Sequence, residues 1–103
     1  MGGQFIKVAT TDKIGPGQAM LVEAGDRKIA LFNLDGKYYA IDDTCTHRGG
    51  PLSDGEIEGE EVTCPWHGAR YKITTGEVLS PPAPQGVTSY NVRVQGSDIE
   101  LEL

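Results

Sequence analysis

Asp98-Ile99-Glu100-Leu101-Glu102-Leu103 alternates without a break, with Ile99, Leu101 and Leu103 on one side and Asp98, Glu100 and Glu102 on the other. A period of two marks a strand with one face buried and one in water, here an antiparallel strand. Working back from it, Tyr90, Val92 and Val94 alternate with Asn91 and Arg93 in the same way, and Gln95-Gly96-Ser97 supplies the turn between the two strands. Arg27 to Asn33 and Lys37 to Ile41 flank Asp35-Gly36, a strong hairpin signal because glycine accepts the positive φ that the turn needs. Ala24-Gly25-Asp26 predicts another hairpin turn, preceded by a strand over Gln18 to Glu23. Helical periodicity is almost absent. Short strands at regular spacing predict an all-β sandwich or barrel.

The middle of the chain reads differently. Between about 42 and 73 the alternation weakens while glycine, proline and charge rise, which predicts a loop-rich insertion between two β-rich halves of one domain spanning 1–103. Loops held on a rigid scaffold are the usual home of binding residues.

A chain of 103 residues is enough for one compact domain. Nine Lys and Arg against fifteen Asp and Glu leave a net charge of −6, which argues against nucleic acid or anionic lipid as a partner and suits a basic patch on a protein. No apolar run approaches the ~18 residues of a membrane helix. Met1-Gly2-Gly3-Gln4-Phe5 lacks the basic and then apolar pattern of a secretory signal, so the expected location is the cytoplasm. In that reducing setting the two cysteines are expected to be ligands or reactive groups rather than a structural disulfide.

Both cysteines and both histidines fall in one pattern. Cys45-Thr46-His47 stands before Arg48-Gly49-Gly50-Pro51, and Cys64-Pro65-Trp66-His67 stands before Gly68. Thiolate and imidazole are the common protein ligands of zinc and iron, and two short pairs on two loops suit a grip on metal from opposite sides. A structural zinc site uses the same donor types. Zinc fingers, however, usually pair cysteine with cysteine and carry their histidines on a helix, whereas here each loop offers one of each and Pro65 and Gly68 disfavour helix. A cysteine nucleophile with a histidine base leaves the second pair without a purpose.

These loops, C-T-H-R-G-G-P-L and C-P-W-H-G-A-R-Y, resemble those of the Rieske ferredoxins, whose pattern is C-x-H, a spacer, then C-x-x-H. The resemblance implies a Rieske-like β base carrying one 2Fe-2S cluster, with Cys45 and Cys64 on one iron and His47 and His67 on the other. Neutral imidazoles in place of two thiolates raise the potential above that of an all-cysteine cluster. Gly50 and Trp66 stand where the respiratory branch of the family has two further cysteines, and Ala69 where it has a hydrogen-bonding serine. The resemblance therefore implies the lower side of a range of roughly −150 to +300 mV.

Other positions near the ligands admit two readings each. Tyr71 matches a position where a hydroxyl bonds a ligand sulfur in the high-potential branch, or it is a strand aromatic with its hydroxyl in water. Trp66 is a lid over the cluster or a contact for a partner. Pro81, Pro82 and Pro84 make a stiff segment, which in the family covers the cluster. Gly49, Gly50 and Gly68 are expected to let backbone N–H groups approach the sulfurs. Asp42, Asp43, Asp54, Glu56, Glu58, Glu60 and Glu61 are expected to crowd around the ligand loops, mostly solvated.

The function implied is a monomeric one-electron shuttle, taking electrons from a flavin reductase and passing them to a terminal oxygenase or similar acceptor. With the ring nitrogens exposed, its potential would fall with rising pH by up to about 59 mV per unit. An oxygenase with its own mononuclear iron would need two further histidines and a carboxylate, and none remains. A small subunit of a larger, nitrite-reductase-like enzyme and a structural zinc module are the alternatives.

Overall fold

Ile29-Ala30-Leu31-Phe32 is apolar without alternation, and all four side chains are wholly buried. A strand buried on both faces reads as such a run. In the computed structural model, which describes residues 4–44, 50–66, 68–80 and 86–102, this run is the middle of the central strand.

Eleven strands are described: β1 (Phe5–Thr10), β2 (Ala19–Ala24), β3 (Arg27–Leu34), β4 (Lys37–Asp42), β5 (Glu56–Glu58), β6 (Glu61–Thr63), β7 (Arg70–Lys72), β8 (Val78–Ser80), β9 (Ser89–Tyr90), β10 (Val92–Gln95) and β11 (Asp98–Glu102). They form three antiparallel sheets, ordered β1-β11-β10, β2-β3-β4-β9 and β5-β6-β7-β8. Two single-turn 3-10 segments, Thr11–Lys13 and Leu52–Asp54, are the only helical elements among the described residues. No helix among them is long and apolar enough to cross a membrane.

The middle sheet separates two cores. One face offers Val22, Ala24, Ile29, Leu31 and Ala40 to Ile99 and Leu101 of β11. The other offers Ala30, Phe32 and Ile41 to Leu52, Val62, Cys64, Ala69, Tyr71 and Ile73. The invariant alternation in β11 thus marks a strand with one buried face, and the continuous run in β3 marks one with two.

The β3–β4 hairpin turns through Asp35 (φ 58°) and Gly36 (φ 91°), the pair of positive angles of a type I′ turn. Buried Asn33 fixes it: its Oδ1 accepts from the N–H of Gly36 (2.8 Å) and its Nδ2 donates to the carbonyl of Ile14 (3.0 Å). The β2–β3 hairpin turns at Gly25-Asp26, as the sequence predicts.

Three expectations change. The alternating segment from Tyr90 to Val94 is two strands, because the chain changes sheets at Asn91: Tyr90 pairs with Ala40 of β4 and Val92 with Leu101 of β11. Alternation persists across such a crossing and does not reveal it. The middle of the chain carries a small four-stranded sheet that continues to Ser80. Its strands are three residues long, too short for a period of two to register. The acidic residues do not all gather at the ligand loops. Glu58 pairs with Glu61 at the far end of the β5–β6 hairpin, and Glu61 lies three residues, about 10 Å along the strand, before Cys64. Asp43 is buried rather than solvated.

Candidate metal centre

The first ligand loop hangs from a closed base. As β4 ends, the N–H of Asp43 donates to the carbonyl of Lys28 on β3 (3.0 Å), and Thr44 forms a bridge with Pro51. The N–H of Leu52 donates to the carbonyl of Asp43 (2.6 Å), and the N–H of Ser53 donates to its carboxylate Oδ1 (2.7 Å). Leu52 then fills the core below. The stretch between Thr44 and Pro51 is therefore pinned at both ends to the central sheet.

The second ligand loop is the turn of the β6–β7 hairpin. The N–H of Cys64 donates to the carbonyl of Ala69 (2.7 Å), which ties the two limbs of the hairpin together at its turn. Gly68 has φ 76°, a backbone conformation that glycine adopts far more easily than other residues.

Cys64 is buried, and the N–H of Trp66 donates to its sulfur at 3.4 Å. Gly50 closes the gap between the loops: a Cβ on it would lie 2.6 Å from Sγ of Cys64 and 3.1 Å from Cβ of Trp66. Here glycine is needed for the close approach of the two loops. The structure thus brings Gly50, Cys64 and Trp66 together, and sets Tyr71 and Ala69 in the core that Cys64 shares. Tyr71 is wholly buried, so its hydroxyl is not in bulk water. Trp66 is 49% exposed and presents much of its ring to solvent. Cys45, His47, Gly49, His67 and the prolines 81, 82 and 84 lie outside the described residues.

Two features escape a reading of the sequence. Asp43 ties the base of the first loop, yet in the sequence it is one acid among several. Beside it the hydroxyl of Tyr90 donates to Asp42 Oδ1 (2.5 Å) and accepts from Nη1 of Arg27 (3.1 Å). Burial, together with the bond to Asp42, holds the Tyr90 pKa above its ordinary value. Tyr90 follows from the alternating pattern as a strand residue, but its partners are 48 and 63 positions away along the chain.

The donor set suits an iron–sulfur cluster. A buried sulfur receiving a backbone N–H, with a glycine flush against it and cysteine and histidine as the available ligands, favours bound thiolate chemistry. On an all-β scaffold with two apposed loops, this arrangement defines a small electron-transfer protein. Residues 4–91 match the family model of the Rieske [2Fe-2S] domain, and the chain belongs to that family and carries one [2Fe-2S] cluster. It is 36% identical over 99 residues to the biphenyl dioxygenase ferredoxin subunit of Pseudomonas sp. strain KKS102, spanning 95% of this chain and 91% of that one. Its fold superposes on the ferredoxin of carbazole 1,9a-dioxygenase from Nocardioides aromaticivorans IC177 with a TM-score of 0.90, at 28% identity and covering 95% and 96% of the two chains. It also matches a chain in the complex of reduced oxygenase and oxidized ferredoxin in carbazole 1,9a-dioxygenase, with a TM-score of 0.88, 28% identity and coverage of 94% and 91%. The chain is a one-electron carrier and not itself an enzyme.

Proposed function

We propose that Cys45 and Cys64 hold one iron of the cluster and His47 and His67 the other, and that the chain carries single electrons from a flavin-containing reductase to a terminal oxygenase in the cytoplasm. When bound, the cluster supplies reversible one-electron redox chemistry, which needs no substrate pocket. The chain's own residues bind and shield it. Cys64 is held in a dry environment, Trp66 donates to its sulfur, and Gly50 keeps the loops in contact. Hydrogen bonds to sulfur favour the more negative, reduced state.

The observation that carries this reading is the match to a dioxygenase ferredoxin subunit over 95% of this chain and 91% of that one. The half-exposed Trp66 beside Cys64 supports a partner-facing surface at this end. The net charge of −6 favours a basic partner at low salt.

The test is an optical and low-temperature EPR spectrum of the purified protein before and after dithionite. A red-brown protein that bleaches and gives a rhombic signal of low average g-value supports mixed cysteine–histidine ligation. A colourless protein with one zinc per chain would sink it. Single turnover with an oxygenase component then tests delivery.

A further inference from the structure

We propose that Asp43 is a positioning residue for the cluster: its carboxylate latches the far limb of the first ligand loop, through the N–H of Ser53, to the central sheet. The inference rests on the ligand assignment made above and concerns what holds the loop rather than what it binds.

The structural case begins with where Asp43 stands. Only 4% of it is exposed, at the point where the chain leaves β4 two residues before Cys45. Its own backbone is already fixed, because its N–H donates to the carbonyl of Lys28 in β3. Whatever its side chain grips is thereby tied to the central sheet. That grip is on Ser53, in the 3-10 turn that follows the loop, at 2.7 Å. A part-buried N–H left without an acceptor is costly, so a side-chain oxygen at this place holds the turn. The backbone bond from Leu52 and the Thr44–Pro51 bridge close the same ring on its inner side.

Without the carboxylate, the ring keeps its backbone closure but loses its outermost tie. The limb carrying Gly50 is then held to the end of β4 only by those two backbone contacts. Gly50 packs against the sulfur of Cys64 with no room for even one extra carbon, so a small displacement there changes the fit between the two loops. A side chain that contacts neither ligand pair thereby governs how firmly the pairs are held in register.

Two substitutions separate this role from a general contribution to folding. Asp43→Asn keeps an oxygen acceptor for Ser53, and Asp43→Ala removes it. Each protein is purified with its cluster, and two quantities are measured well below its unfolding midpoint. One is the rate at which visible absorbance is lost to an iron chelator. The other is the set of g-values after reduction. We expect Asp43→Ala to release its cluster at least ten times faster than the native chain, with displaced g-values. Asp43→Asn should stay within twofold of the native rate with g-values unchanged. If Asp43→Ala does not fold, near-native behaviour of Asp43→Asn still supports the latch. Release as fast from Asp43→Asn as from Asp43→Ala, or loss of the cluster from Asp43→Asn alone, overturns it, because the acceptor would then not be what matters. A cluster held equally by all three proteins overturns the latch and leaves the ligand assignment standing. A native protein with no iron–sulfur spectrum overturns the assignment and the latch with it.

Discussion

Gly50 lies so close to Cys64 that a Cβ placed on it would stand 2.6 Å from the sulfur, well inside any real contact. The next obstacle, Cγ of Trp66 at 3.0 Å, leaves the added carbon nowhere to go. Gly50→Ala must therefore push the two loops apart or turn the sulfur away from its place. Overpacking of this kind typically costs about 1–3 kcal/mol. At 1.4 kcal/mol for each factor of ten, cluster retention should weaken by roughly 5- to 150-fold. Iron and sulfide content per chain after purification, compared with the native protein, measures it directly. Full loading with unchanged release would show that the loops yield easily.

Tyr71 is buried completely on β7, in the same core as Cys64 and Ala69. A hydroxyl at such depth is paired within the protein. If it donates toward a ligand sulfur, it stabilises the reduced state, and Tyr71→Phe should lower the midpoint potential. One neutral hydrogen bond is worth about 0.5–1.5 kcal/mol, which for a single electron is about 20–65 mV. Protein-film voltammetry of the two proteins at one pH reads the shift. An unchanged potential would place the hydroxyl bond elsewhere in the core.

Much of this was legible along the chain. The strict alternation of Asp98 to Leu103, the turn at Asp35-Gly36 and the paired Cys–His motifs are local signals, each complete within a few residues. What stayed hidden is non-local. Nothing near Asn91 announces that the strand passes from β4 to β11, because both sheets ask for the same alternation. The carboxylates of Asp42 and Asp43 look alike in the sequence. Only the fold sends one to Tyr90 and the other to Ser53. Likewise Gly50 and Gly68 look equivalent in the sequence, yet only the fold shows that Gly50 leaves no room for a Cβ beside Cys64 and that Gly68 takes a positive φ.

The Tyr90–Asp42 bond makes part of the stability depend on alkaline pH. Burial first, then the bond donated to Asp42, raise the Tyr90 pKa, with the Arg27 contact opposing them. The folded chain thus holds the phenolic proton more tightly than the unfolded chain, whose tyrosines titrate near 10. Stability from this group is fully present below that value and is lost as pH rises through the higher folded value. Tyr90→Phe should cost about 1 kcal/mol at neutral pH, allowing for partial solvent screening. The gap between native and variant should close above about pH 10. Denaturant midpoints from pH 7 to 11 test this, and a gap independent of pH would refute the linkage.

The backbone where the chain re-enters the fold after β8 is also packed without slack. The N–H of Val87 donates to the carbonyl of Gly76 (2.8 Å), and a Cβ on Gly86 would meet that carbonyl oxygen at 2.5 Å. Gly76 itself has φ 82°, and a Cβ on it would strike the carbonyl of Val87. The two glycines thus form a backbone clamp that fixes Gly86 and Val87 against Gly76. Backbone atoms cannot swing aside as a flexible side chain can, so Gly86→Ala has to displace the clamp itself. We expect a loss of about 1–3 kcal/mol in folding stability, together with faster bleaching of the cluster by chelator. Ser89→Ala, at an exposed position in β9, serves as the control and should change neither. Unchanged bleaching in Gly86→Ala, with stability lowered as expected, would separate the clamp from the metal centre and restrict it to holding the fold.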